Sequence, residues 1–282
     1  MAKASYIRVS GWTFGRKLPV FAEFIKVEMS HQESYYRHNE EYAEFLANWD
    51  ANFYAKYSDT LKPEQPGGRV LDVGCGVGQV VARLAEAGFE AHGVDVSEPS
   101  IARARKFCER CQVYDGKRLP FSDNYFDSAG ALNVLEHVDQ PEAFIQEVVR
   151  VVAPGGNVII SSPNFFRAIG FRDYHPKMRG LVNKWHNYQR IQEKRYLMRT
   201  NPKAVRFDRM TPIVKQPFEP DDDAIVATNG VEIAFFLERF GCTVEQVSCT
   251  DRYVPKPLEF LLNATSARFY MFSGFVVGRK RM

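Results

Sequence analysis

Val70-Leu71-Asp72-Val73-Gly74-Cys75-Gly76-Val77-Gly78 decides the architecture of this 282-residue chain. The first four residues, mostly apolar, read as a short buried strand running into glycines. Glycine permits positive φ and carries no Cβ, so the chain can turn sharply and a ligand can approach its main chain. Residues 79–87 then show the apolar spacing of an amphipathic helix, closed by Gly88. Such a helix start offers N–H groups and a positive dipole end to anionic groups.

Downstream the alternation repeats. Residues 91–96, 112–114, 126–133 and 157–161 read as strands, and 97–107 and 141–152 as helices. Ser97 is placed to cap the first of these helices, and Pro141 opens the second where a missing N–H costs little. Pro154-Gly155-Gly156 reads as a turn. This order predicts an α/β, Rossmann-like fold: a mainly parallel sheet with helices on both faces and right-handed crossovers. After residue 163 the alternation stops, and it resumes with a helix over 230–240 and strands over 243–249 and 269–277. Upstream, aromatic residues at helical spacing from Tyr36 to Tyr54 predict one helix over 31–57.

Four parts follow: an N-terminal helical segment or lid (1–66), a cofactor-binding core (67–163), a basic insertion (164–227) and the end of the core (228–282). An unstructured connection as long as the insertion is uncommon, so it is expected to form helices of its own.

The second strand ends in Gly93-Val94-Asp95-Val96, and an acidic residue there can accept hydrogen bonds from both ribose hydroxyls. Glycine loop and strand-end acid together indicate a bound nucleoside. A nicotinamide dinucleotide site expects G-x-G-x-x-G/A, whereas here the glycines are 74, 76 and 78 and position 79 is Gln79. S-adenosylmethionine has no pyrophosphate and needs groups for its amino-acid end, where a carboxylate such as Asp72 can accept from the ammonium.

The chain resembles the class I S-adenosylmethionine-dependent methyltransferases, in the branch acting on small molecules, lipids and sugars. Four motifs carry the resemblance: 70–78; 93–96; 115–121 with Phe126-Asp127; and 133–138 followed by 150–156. It implies a seven-stranded sheet whose last strand is antiparallel. It also implies that Gly74, Cys75, Gly76 and Gly78 form the loop around the methionine part, with Asp72 near its ammonium. Asp95 would hold the ribose, Val96 the adenine face, Asp115 and Gly116 the adenine amino group, and Asn133 the methionine end. Each residue also has a plain structural reading. Gly74 and Gly78 can serve turn geometry alone, Asp95 can cap a helix, and Asp115 can be a turn residue.

Methyl transfer from a sulfonium is an in-line displacement. It needs alignment and exclusion of water, and for an oxygen nucleophile a base. His137 in Leu135-Glu136-His137-Val138 is the candidate base, although the same pair can be structural. Tyr36 and His175 are the candidate substrate contacts, with Tyr35 beside them, while Trp49 is expected to pack the helix.

Between residues 164 and 215 there are thirteen Lys or Arg against three acidic residues, with aromatics interleaved. That composition predicts an anionic acceptor: a phosphorylated or nucleotide-linked sugar, a glycan or a lipid precursor. A peripheral contact with an anionic membrane and an oligomer contact stay open. A nucleic-acid partner is disfavoured because no separate binding module is visible. The run 221–223 offsets part of this charge.

The net charge of +3 says little about partners. No stretch reaches the roughly 20 apolar residues of a membrane helix, and residues 1–26 lack a signal-peptide apolar region, so a cytoplasmic protein is expected. Five cysteines without a secretory signal argue against a disulfide framework, and the lone Cys108/Cys111 pair lacks the further ligands of a zinc site. Two other functions are weighed against a methyltransferase acting at oxygen: a non-catalytic protein that binds the same cofactor, and an NAD-dependent oxidoreductase.

Overall fold

The computed structural model describes residues 35–170, 175–213, 221–250 and 254–282. Its main sheet has seven strands: β1 (Arg69–Val73), β2 (Glu90–Asp95), β3 (Cys111–Val113), β4 (Phe126–Leu132), β5 (Val152–Pro163), β8 (Cys242–Thr250) and β9 (Ser273–Lys280). The spatial order is β3-β2-β1-β4-β5-β9-β8. The pairs among β1 to β5 are parallel, and β9 runs antiparallel to both β5 and β8. Strand order reverses between β1 and β4, and open α/β sheets bind ligands at such a switch point, outside the carboxyl ends of the strands.

Strand alternation sorts the core into two layers. Val70 and Ile159 pack on one face with Val80, Val81 and Leu84 of α3 (Gln79–Glu86), Ile101 of α4 (Glu98–Ala104) and Tyr57 and Leu61 of α2 (Ala55–Leu61). Leu71, Val73, Val158 and Ile160 pack on the other. Their partners are Phe144, Ile145 and Val148 of α5 (Pro141–Val151) and Ile233, Phe236 and Leu237 of α7 (Gly230–Arg239). Asp72 is therefore on the face of Val70, at the open end of the strand beside α2.

The structure departs from the sequence expectations in three places. The helix expected over 31–57 is broken; residues 31–34 lie outside the described ones. From residue 35 the chain forms α1 (Glu40–Ala47), a 3-10 turn (Ala51–Tyr54) and α2. Asn39 accepts from the Tyr42 N–H and Asp50 from the Asn52 N–H, each at 2.9 Å, so each side chain starts a new turn instead of continuing the old one. Second, the turn expected at 154–156 is a bulge inside β5. Val152 pairs with Phe126 and Asn157 with Ser128, and Gly155 supplies the positive φ of 81°. Third, residues Ser266–Tyr270 form a 3-10 helix, and the final strand starts only at Ser273.

The insertion folds as α6 (Gly180–Thr200) and a two-stranded ribbon of β6 (Asp208–Arg209) and β7 (Val226–Ala227). The helix was expected; the ribbon was not. An ion network, buried at Lys194 and Glu232, fastens α6 to the core. Lys194 Nζ lies 2.8 Å from Glu232 of α7 and 2.7 Å from Asp208, and Arg190 lies 2.8 Å from Asp208. Between β8 and β9 lies α8 (Lys256–Asn263). Among the described residues no helix is long and apolar enough to cross a membrane.

Candidate active site

The carboxyl ends of β1, β2 and β4 open into one cavity, roofed by residues 35–57 and bordered by residues 221–223. The glycine loop forms its floor. Gly74 and Gly76 have φ of 74° and 52°, and the loop leans on β2: the N–H groups of Gly74 and Cys75 donate to Val94 O at 2.7 and 3.0 Å. Gly76 N donates to Asp95 Oδ2 at 2.9 Å, and Ser97 N donates to Asp95 Oδ1 at 2.8 Å. These loop N–H groups are thus taken by protein acceptors, and the loop does not present them to a pyrophosphate.

Two acids flank this floor. Asp72 is buried and accepts from the Tyr57 hydroxyl at 2.9 Å. Burial pushes its carboxyl up to about 7, the Tyr57 bond opposes this, and the nearby Asp95 adds to it. Burial also raises Asp95, against the pull of its backbone N–H donors.

At the far end, Asn133 ends β4 at φ 53°, a conformation asparagine tolerates better than most residues. Tyr36 donates to Asp223 Oδ2, and its oxygen is 2.9 Å from His137 Nδ1. With the Tyr36 proton donated to Asp223, the Tyr36 oxygen is left to accept from Nδ1 of His137, and in the neutral tautomer assigned from that network Nε2 carries the lone pair. Glu136 beside it is fully buried and accepts from Ser162 at 2.8 Å. Burial, with Asp221 and Asp223 nearby, raises its carboxyl well above the usual range.

Of the residues singled out by sequence, Asp72, Gly74, Cys75, Gly76, Asp95, Val96, Asn133, His137 and Tyr36 all line this cavity. Trp49 packs against Phe45 and Phe53, with ring centroids 5.2 and 6.0 Å away, and lines the cavity as well. Four of the candidates do not. Gly78 has φ 86° and starts α3, and a Cβ there would stand 2.8 Å from the Ala104 Cβ, so its task is close helix packing. Asp115 turns back on its own chain, accepting from Lys117 N at 2.8 Å and Arg118 N at 2.9 Å, and Gly116 (φ 75°) completes that turn. Those N–H groups hold the carboxyl of Asp115 low although partial burial pushes it up. His175 is buried against Phe165, 5.2 Å between ring centroids, and caps Lys177; burial lowers its pKa. Cys108 and Cys111 are buried thiols, and a Cβ on Gly93 would crowd both Cys75 and Cys111.

Sequence reasoning missed Tyr57, Tyr114 and the acidic run Asp221, Asp222 and Asp223 as cavity walls. The run was visible, but only as a counterweight to basic charge. Nothing local links it to Tyr36, which is 187 residues away.

A family model described as a methyltransferase domain matches residues 71–160. The core is a class I S-adenosylmethionine-dependent methyltransferase domain. The chain is 37% identical over 105 residues to a ubiquinone biosynthesis O-methyltransferase of Alkalilimnicola ehrlichii, a match covering 35% of this chain and 42% of that one. A demethylmenaquinone methyltransferase of Tropheryma whipplei is 28% identical over 182 residues, 62% of this chain and 66% of its own. The solved structure of an S-adenosylmethionine-dependent methyltransferase from Mesorhizobium loti shares the fold with a TM-score of 0.53. It is 17% identical and covers 82% of this chain and 98% of its own. The chain spans less than half the length of several of the curated relatives it matches.

S-adenosylmethionine is the co-substrate of this methyltransferase family, and the cavity residues fit it. The buried Asp72 carboxyl has no cationic partner among the described residues, and an ammonium beside it relieves the cost of its charge. The neutral form of Asp72 offers no such attraction. Affinity for S-adenosylhomocysteine is therefore expected to rise with pH as Asp72 ionises. Binding through the ionised form alone makes it up to about tenfold weaker at pH 6 than at pH 8. Titration calorimetry across this range should show proton release near pH 7, and Asp72→Asn should flatten the profile. For folding the sign is opposite. A carboxyl raised in the folded state favours the fold below its unfolded pKa, and that contribution fades as pH climbs to about 7.

Proposed function

We propose that this chain transfers a methyl group from S-adenosylmethionine to a small-molecule or lipid-type acceptor. The observation that carries the reading is one cavity at the β1/β4 switch point, with Asp72 and Asp95 at one end and the Tyr36–His137–Asp223 array at the other. The sulfonium supplies an activated methyl group, and the protein's part is to align the partners and keep water out. The loop at Gly74 to Gly76 and Asp72 hold the amino-acid end, and Asp95 the ribose. Tyr42, Phe45, Trp49 and Tyr54 close the roof with aromatic surface.

His137 is placed to take the acceptor's proton at Nε2, while Tyr36 and Asp223 fix the ring through Nδ1. The kinds of relative matched, quinone-biosynthesis methyltransferases among them, support a small-molecule or lipid-type acceptor. The anionic acceptor expected from the basic insertion finds less support. Arg190 and Lys194 are engaged by Asp208 and Glu232, and Arg195 stacks 4.8 Å above the Phe269 ring.

Methyl-labelled S-adenosylmethionine incubated with the protein and pooled small-molecule and lipid acceptors tests the reading. Transfer of label to an acceptor is expected, and binding of the co-substrate without any transfer favours a non-catalytic binding protein. His137→Ala should lower turnover by about 10²-fold, the lower range for a lost acid–base group, while S-adenosylhomocysteine affinity changes little. An unaltered rate removes His137 from the chemistry.

A further inference from the structure

Two helices outside the cavity turn apolar side chains outward. The buried positions of α6 are Asn187, Ile191 and Lys194, two of them polar. Its exposed positions include Leu181 (86%), Trp185 (59%) and Tyr196 (70%). A helix that only covers a core in water carries the opposite pattern. The ion pairs of buried Lys194 with Glu232 and Asp208 hold α6 in this rotation. On α8 no residue is buried, and Phe260 and Leu261 are exposed by 74% and 61%. The 3-10 turn Ser266–Tyr270, which follows α8, ties the two helices together. Its Tyr270 ring is 5.4 Å from the Tyr188 ring, and its hydroxyl accepts from Gln192 Nε2 at 2.6 Å. Apolar exposure of this extent marks a contact surface.

Position and charge say what that surface meets. β5 leaves the sheet at Pro163, β8 leaves it at Thr250, and β9 enters at Ser273, which pairs with both. Both helices therefore grow from the sheet edge at which the cavity opens. The acid on each helix is paired with a base, Glu193 with Arg190 at 2.9 Å and Glu259 with Lys56 at 3.8 Å. Arg199, Lys203 and Lys256 are exposed at or just beyond the helix ends. Trp and Tyr side chains favour the boundary between water and hydrocarbon, and bases beside it are drawn to anionic headgroups. We infer that α6 and α8 rest on an anionic lipid surface, with their apolar side chains below the headgroups and their bases among the phosphates. The inference goes beyond methyl transfer and stands without it. The lipid-type acceptor proposed above gives it a use, because the sheet edge that carries the cavity then faces the layer in which such an acceptor dissolves.

The test sediments the full chain with sucrose-loaded vesicles of phosphatidylcholine, alone or with about one-third phosphatidylglycerol. Binding to the mixed vesicles is expected to be about tenfold tighter or more, and roughly 0.5 M NaCl should remove most of the difference. Trp185→Ser and, separately, Phe260→Ser should each weaken binding to the mixed vesicles about tenfold, with S-adenosylhomocysteine affinity unchanged. No binding to the mixed vesicles, equal binding to both kinds, or binding that neither substitution weakens overturns the inference. So does a chain that is dimeric in solution and becomes monomeric with Trp185→Ser, since α6 then serves a second copy. The two substitutions lie on different helices, so poor folding of one leaves the other to decide. Vesicle binding by a protein that ignores S-adenosylhomocysteine counts against the methyltransferase reading alone.

Discussion

Gly74→Ala is expected to lower the unfolding free energy by about 2–5 kcal/mol and to abolish measurable S-adenosylhomocysteine binding. Two costs add. The residue sits at φ 74°, where an alanine costs roughly 1–2 kcal/mol. A Cβ there would also lie 2.3 Å from Val134 Cγ2, inside any real contact distance, and forced overpacking costs typically about 1–3 kcal/mol. Val134 follows Asn133, itself in the left-handed region, so the chain between β4 and the short helix carrying His137 has little freedom to retreat. Relief must come from moving the loop or that segment, and both line the cavity. Denaturant unfolding reads the first effect and calorimetry the second. A variant as stable as the wild type would show that the loop and the end of β4 do not approach as closely as described.

Asp95→Ala is expected to weaken S-adenosylhomocysteine binding about 100-fold, which corresponds to about 2.7 kcal/mol. The carboxylate is half-buried and does two things at once. It ties Gly76 N and Ser97 N, at 2.9 and 2.8 Å, so it joins the glycine loop to the cap of α4. It also faces the cavity, where its remaining lone pairs can accept from a ribose. Hydrogen bonds to a charged group are worth about 1.5–3 kcal/mol each, so the loss of fastening and contact together supports the larger estimate. Asp95→Asn, which keeps the shape and one acceptor oxygen, should lose less. Equal affinity in a folded Asp95→Ala protein would remove Asp95 from the ligand's surroundings.

Local chemistry governed what could be read before the structure. The strand, glycine loop and helix at residues 69–86 form from short-range pattern alone, and Ser97 caps α4 as its position implied, accepting from Ser100 N at 3.3 Å. The helix over 31–57 was misread because aromatic spacing continues unbroken across Asn39 and Asp50, whose capping is a matter of single hydrogen bonds. Asp115 matched a motif, and its Oδ1 also accepts from the two N–H groups that follow it, a turn contact that the motif does not announce. His175 lies in a basic, aromatic stretch that resembles a binding surface by composition, whereas its ring is buried on Phe165. The hardest element to foresee was the acceptor wall. Asp223 meets Tyr36 only because the ribbon β6–β7 is fixed by the Ile225 N–H donating to Glu136 O at 2.9 Å, a contact between distant parts of the chain. The basic count of the insertion misled for a related reason: part of that charge is neutralised inside the fold by Asp208 and Glu232.

Titration of the wild-type protein with S-adenosylhomocysteine, with NADH as the competitor, tests the central claim most directly. The account predicts one molecule bound per chain, undisturbed by NADH and lost in Gly74→Ala. A folded protein that ignores S-adenosylhomocysteine, or that takes up NADH in its place, contradicts it.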